Sequence, residues 1–145
     1  MTDPASDPYN LQRFLDAQAP VFDQVLAELR AGRKRSHWMW FIFPQIAGLG
    51  SSEMARLFAI SGRAEAEAYL AHPTLGPRLR ECTGLVNQIP NRTIAEIFGY
   101  PDDLKFRSSV TLFAAVAPTE TEDVFQQAIQ KYFAGVSDSA TLHLL

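Results

Sequence analysis

From Pro101 to about Ala117 the chain carries apolar side chains on nearly every side of a helix, and such a helix is stable only when other helices surround it. Phe106, Val110, Phe113 and Ala117 fall on one side; Leu104, Leu112, Ala115 and Val116 fall elsewhere. Pro101 opens the segment, where its missing N–H costs nothing, and Asp102 and Asp103 meet the positive end of the helix dipole. The chain is therefore expected to build itself around a central helix near 101–117.

The remaining apolar residues supply the wrapping. Leu11, Phe14 and Leu15 mark a first short helix. Pro20 fits the first turn of a second, in which Val21, Phe22, Val25, Leu26 and Leu29 form a stripe that Gly32 ends with a left-handed cap. Residues 33–43 read as a helix stopped by Pro44, because the residue before a proline resists the helical region. Ser51 and Ser52 are placed to cap a helix from Glu53 to Ile60, and another spans about Gly62–Ala71. Thr74 is expected to cap a helix whose Leu75, Leu79, Cys82 and Val86 recur at i, i+4, i+7 and i+11. Short turns at Ile94–Phe98 and Ser139–Leu144, the latter capped by Asp138, and a helix over Glu120–Ala134 complete the series. No alternation of period two is present. The expected class is all-α: one compact domain over 1–145, an array of about seven to nine helices, with 1–9 as a flexible N-terminal arm.

With 145 residues, 47% of them apolar, the chain can bury roughly 68–70% of its unfolded surface and needs no covalent staple. The single cysteine, on the buried stripe of its helix, reads as a small core residue in a reducing compartment. Met1–Asn10 has no basic, apolar leader, and the aromatic run Trp38–Ile46 is half the ~20 residues a membrane span needs. The expectation is a cytoplasmic protein without a membrane partner. A net charge of −3 disfavours nucleic acid as a partner. The three histidines and the cysteine show no metal-ligand spacing, and neither a phosphate loop nor a nucleophile elbow is present, so no metal or cofactor is expected.

One segment departs from this even texture. Arg33, Lys34, Arg35 and His37 run directly into both tryptophans of the chain, Trp38 and Trp40. Arginine offers a fixed fork of donors for phosphate or carboxylate, and an indole offers a broad face for a ring. The segment reads either as a cationic rim beside an aromatic floor, fit for an anionic, ring-bearing ligand, or as a buried core helix with a solvated basic start. Just downstream, Gly48, Gly50 and Ser51 form a loop whose backbone N–H groups could cradle an anion, or merely a flexible connection with a serine cap. In the central helix Asp103, Lys105, Arg107, Ser108 and Ser109 bring polar groups into an apolar element, where they must bond to neighbouring helices or face a polar pocket. Asp138 needs no role beyond its cap, and His143 reads as an exposed terminal residue.

The string SHWMWFIFPQIAGLG from Ser36 to Gly50 resembles the signature of a widespread bacterial family known as a domain of unknown function, sometimes labelled calpastatin in genomes. The likeness extends through Leu11-Gln-Arg-Phe14 with Ala17-Gln18, Glu67 to Pro73, Leu75-Gly-x-Arg-Leu79, Phe98-Gly99, Asp103-x-Lys-x-Arg-Ser-Ser109 and Asp138-x-x-Thr-Leu142. It implies a compact helical fold and brings no activity; the calpastatin label fits a disordered, charged repeat protein and not a packed domain. Lys105–Leu145 is also loosely similar to the helical end of the NADAR family, associated with ADP-ribose and NAD metabolism and including N-glycosidases. That family's Glu-His motif matches no position here, so none of its catalytic residues is carried over.

The expected function is an enzyme or binder acting on a small anionic, nucleotide-like metabolite, with N-glycosidic hydrolysis as the chemistry if it is an enzyme. Arg35, Lys105 and Arg107 would hold anionic groups and Trp38 or Trp40 would stack a ring. His37 or Asp103 would move a proton, with Gln45, Gly48, Gly50, Ser51, Ser108 and Ser109 completing the pocket. The alternative is a non-enzymatic structural or protein-interaction domain in which the same side chains are satisfied internally.

Overall fold

The structure, a computed structural model, describes residues 7–118 and 123–145. Its ten helices are α1 Gln12–Gln18, α2 Phe22–Arg30, α3 Met39–Ile42, α4 Glu53–Leu57, α5 Arg63–Ala71, α6 Leu75–Asn87, α7 Ile94–Phe98, α8 Asp102–Val116, α9 Val124–Phe133 and α10 Ser139–Leu144. Among the described residues there is no strand, only one parallel bridge between Ile46 and Ile60. The class is all-α, and the apolar helix near 101–117 is its centre: α8 packs against α5, α7, α9 and α10. Phe106 shows why. Its ring lies 5.1 Å from that of Phe43 and 5.0 Å from that of Phe98, with Tyr132 and Phe133 on a further side. No helix among the described residues is long and apolar enough to cross a membrane.

Local chemistry sets most boundaries. Ser52 accepts from the Ala55 N–H at the start of α4, Asp123 from Phe125 and Gln126 at α9, and Asp138 from Thr141 at α10. Thr93 and Glu96 cap α7 reciprocally. Gly32, at φ +77°, ends α2 in the left-handed region. The Asp7 carboxylate accepts from the Leu11 and Gln12 N–H groups at α1; residues 1–6 of the expected arm lie outside the described residues.

Four boundaries correct the sequence reading. The helix expected over 33–43 is confined to Met39–Ile42, because the backbone before it is drawn to a carboxylate on α2. The helix expected to reach Ile60 stops at Leu57, since Ile60 leaves to donate to the Gln45 carbonyl and accept from the Ala47 N–H. Thr74 does not cap α6 with its side chain; His72 Nδ1 accepts from the N–H groups of Thr74 and Leu75 at 3.0 and 3.2 Å. The described part of the helix expected over Glu120–Ala134 is Val124–Phe133, with 120–122 outside the described residues and Ala134 left-handed. The α5–α6 corner also requires glycine at 76, where a Cβ would meet the Leu70 carbonyl oxygen at 2.1 Å.

Candidate functional site

The cationic segment is organised from inside by Glu28. After Gly32 reverses the chain, Arg33 N–H donates to the Glu28 carbonyl and Lys34 N–H to the Ile97 carbonyl, so the segment runs between α2 and α7. The Glu28 carboxylate then collects the N–H groups of Arg35 at 2.7 Å and Ser36 at 2.9 Å, the Ser36 hydroxyl at 2.6 Å, the Trp38 indole at 3.0 Å and the Gln24 amide at 2.8 Å. Burial alone would raise its pKa; the Ser36, Arg35 and Gln24 donors outweigh burial and hold it at about 2. With the backbone facing inward, Arg33, Arg35 and His37 turn their side chains to the exterior. Trp38, only 1% exposed, packs its ring beside Phe43 and Phe98 and is closed to any ligand.

A second anchor joins this segment to α8. Lys34 Nζ lies 2.8 Å from Asp102 Oδ2, and Lys105 Nζ lies 3.3 Å from Asp102 Oδ1. One carboxylate thus serves two lysines. Each ammonium also sits over an indole: Lys34 5.1 Å from the Trp38 ring centre, Lys105 5.0 Å from that of Trp40. The 33–45 segment and the start of α8 therefore meet, Lys105 lying over Trp40 directly, with Asp102 and Lys34 adding an ion pair beside them.

The open space lies on the other side of Lys34. Arg33, Lys34, Arg92, Ala95, Glu96, Ile97, Phe98 and Gly99 line a cleft of about 390 Å³. It adjoins one of about 330 Å³ between the ends of α2 and α6, and Arg92 lines both. Among the described residues Arg30, Arg33, Arg35 and Arg92 have no carboxylate within salt-bridge distance. Glu96, the one acid among the described residues lining the first cleft, turns an oxygen back to the Thr93 N–H at 2.8 Å. The Thr93 N–H and hydroxyl hold it below the usual carboxylate range, with a smaller contribution from Arg92.

The other expected site residues are dispersed. Gln45, Gly48 and Gly50 line a separate cleft of about 280 Å³ with Arg56, whose guanidinium donates to the Ser51 carbonyl. Arg107 donates to the carbonyls of Val136 and Ser137 and lies over the Phe133 ring, so it fastens the α9–α10 connection. The single Ser108 hydroxyl proton is shared between the Leu104 carbonyl at 3.1 Å and Asp138 Oδ2 at 3.2 Å. Ser109 is buried, its hydroxyl without a partner among the described residues. Asp103 accepts from the Leu104 N–H at the start of α8. Among the described residues no three His, Cys, Asp or Glu side chains are grouped to hold a metal ion.

Sequence reasoning passed over Glu28 and Arg92, and gave Asp102 a place at the helix dipole but no ion pair with Lys34. Glu28 left one signal: at i+3 from Val25 it falls on the apolar face of its helix, where an acid must have donors. Arg92 left none, because its neighbours in the cleft come from α7 and the end of α2.

The model of a family described as "Protein of unknown function (DUF1810)" matches residues 8–145. Among solved structures, the crystal structure of the conserved hypothetical protein Rv1873 from Mycobacterium tuberculosis is similar to this chain. The TM-score is 0.92 at 57% identity, over 96% of this chain and 98% of that one. No curated protein matches. These comparisons carry the resemblance seen at SHWMWFIFPQ and give nothing for the likeness to NADAR.

Proposed function

The chain belongs to the DUF1810 family, and from that footing we propose that it binds a small phosphate-bearing metabolite in the cleft between Arg33–Lys34 and α7. One observation carries the reading. On a chain of net charge −3, Arg33 and Arg92 border one cleft, and among the described residues no carboxylate within salt-bridge distance neutralises either of them. Guanidinium groups recognise phosphate through paired N–H donors, and Lys34 adds a cation already balanced by Asp102. A volume of about 390 Å³ is in the range of small-molecule sites.

The reading is binding and not hydrolysis. Neither His37 nor Asp103 lines the cleft, and Trp38 has no exposed face to stack a sugar or base. Glu96, held in its ionised form by Thr93, is a poor proton donor. A protein-interaction domain is the second reading; it is favoured by Tyr100 and Leu104, which stand 80% and 49% exposed beside the start of α8.

Thermal unfolding with inorganic phosphate, pyrophosphate and AMP tests the proposal. A ligand at about a hundred times its Kd stabilises by about 2.7 kcal/mol. Arg33→Ala and Arg92→Ala should abolish the shift, and Arg56→Ala, in the separate cleft, should leave it intact. Absence of a shift with all three compounds would overturn the proposal and leave the interaction reading.

A further inference from the structure

The two clefts that meet at Arg92 differ in chemistry. The one at Arg33 and Glu96 is strongly polar; its neighbour is mixed, with Leu85, Ile89 and Pro90 on its walls and Arg30, Gln88 and Arg92 adding polar surface. Gly32 makes the junction. At φ +77° it carries no side chain, and a Cβ there would lie 3.4 Å from Ile89 Cγ2 and 3.5 Å from Arg92 Nε. Arg92 can therefore lie across the α2 terminus as a ridge with one cleft on each side. This second cleft has an exposed amide, Gln88, which both donates and accepts and so suits the edge of a heterocycle whose faces meet Leu85 and Pro90.

Resting on the phosphate-binding reading above, we propose that the ligand is a nucleoside phosphate lying across both clefts. Its ring enters between Leu85 and Pro90, with Gln88 at the ring edge. Its phosphates rest on the guanidinium groups of Arg92 and Arg33. The juxtaposition of a slot of mixed lining, with aliphatic walls and an amide at its edge, and a cationic one, joined by a shared arginine, is what a free phosphate would not need. The two volumes, about 330 and 390 Å³, together match a ligand longer than either cleft would hold alone.

Calorimetric titration of the full chain with pyrophosphate and with ADP separates this proposal from the one on which it rests. ADP should bind about tenfold tighter than pyrophosphate. Ala31→Trp, at an exposed position lining the cleft of Leu85 and Pro90, should fill it, removing the preference for ADP while leaving pyrophosphate binding unchanged. Gln88→Ala, which adds no bulk, should weaken ADP alone by about threefold to tenfold. Arg33→Ala should weaken both ligands. Equal affinities for ADP and pyrophosphate, or a preference that survives both Ala31→Trp and Gln88→Ala, would overturn the nucleoside reading and leave phosphate binding standing. Binding of neither ligand would overturn both.

Discussion

Trp38 donates its indole N–H to the Glu28 carboxylate at 3.0 Å, and the two side chains are 1% and 3% exposed. This bond explains why charge and aromatic surface adjoin so abruptly in the sequence. The backbone of 35–38 folds inward onto one acid, which leaves the arginines outward and the indole beneath them. The cationic face and the core are two sides of one loop.

Glu28 should make the protein acid-sensitive. Its carboxyl, ordinarily near 4.5, is held at about 2 in the folded chain, so its contribution is present above pH 4.5 and is lost as pH falls toward 2. The shift corresponds to about 3 kcal/mol. Urea unfolding at pH 7 should show Glu28→Gln destabilised by about that amount, and the gap should close progressively below pH 4.5. A gap that stays constant down to pH 3 would show that Glu28 acts through shape and not through charge.

His72 replaces the expected threonine as the cap of α6. Loss of a capping acceptor costs about 1 kcal/mol, which for a chain of this size lowers Tm by about 2–4 °C. His72→Ala should show that loss, and His72→Asn, whose amide oxygen can accept from the same two N–H groups, should recover most of it. A scan in which the two variants unfold together would remove the capping role.

The helices whose caps lie within a turn of their ends were legible in the sequence: Ser52 and Asp138 at helix starts and Gly32 after a helix end sit where the reading placed them. So was α8, because a helix apolar all round leaves no other place for itself. What the sequence could not show is competition at a distance. Residues 33–38 have a helical pattern, yet four donors within them, the N–H groups of Arg35 and Ser36, the Ser36 hydroxyl and the Trp38 indole, bond to an acid 7 to 10 positions earlier. The site suffered in the same way. Lys105 and the 33–45 segment do converge, over the Trp40 ring and through Asp102, while Arg107 and Ser108 are engaged with the α9–α10 connection and Asp138.

Cys82 should be inert in the native protein. It is buried on the α6 stripe, and burial, aided by the Glu81 charge and opposed by Arg78, pushes its thiol up to about 12. At pH 8 almost no thiolate exists to attack a reagent. Reaction with an aromatic disulfide reagent should therefore follow the rate of unfolding and become immediate only in denaturant. Rapid labelling without denaturant would show that α6 opens locally.

Asp102 offers the sharpest functional test, because it sets charge without lining the cleft. It neutralises Lys34 and Lys105 together, and Lys34 borders the space where phosphate is proposed to bind. Asp102→Asn leaves both ammonium groups unbalanced. Stability should fall by about 1 kcal/mol through the lost ion pairs and the lost dipole interaction at the start of α8. Pyrophosphate affinity should move the other way, rising about threefold to tenfold with a steeper dependence on salt. Calorimetric titrations at two ionic strengths read both effects. An affinity that drops together with stability would mean that Asp102 holds Lys34 in place for the ligand, and that the pair, not the free arginines, governs recognition.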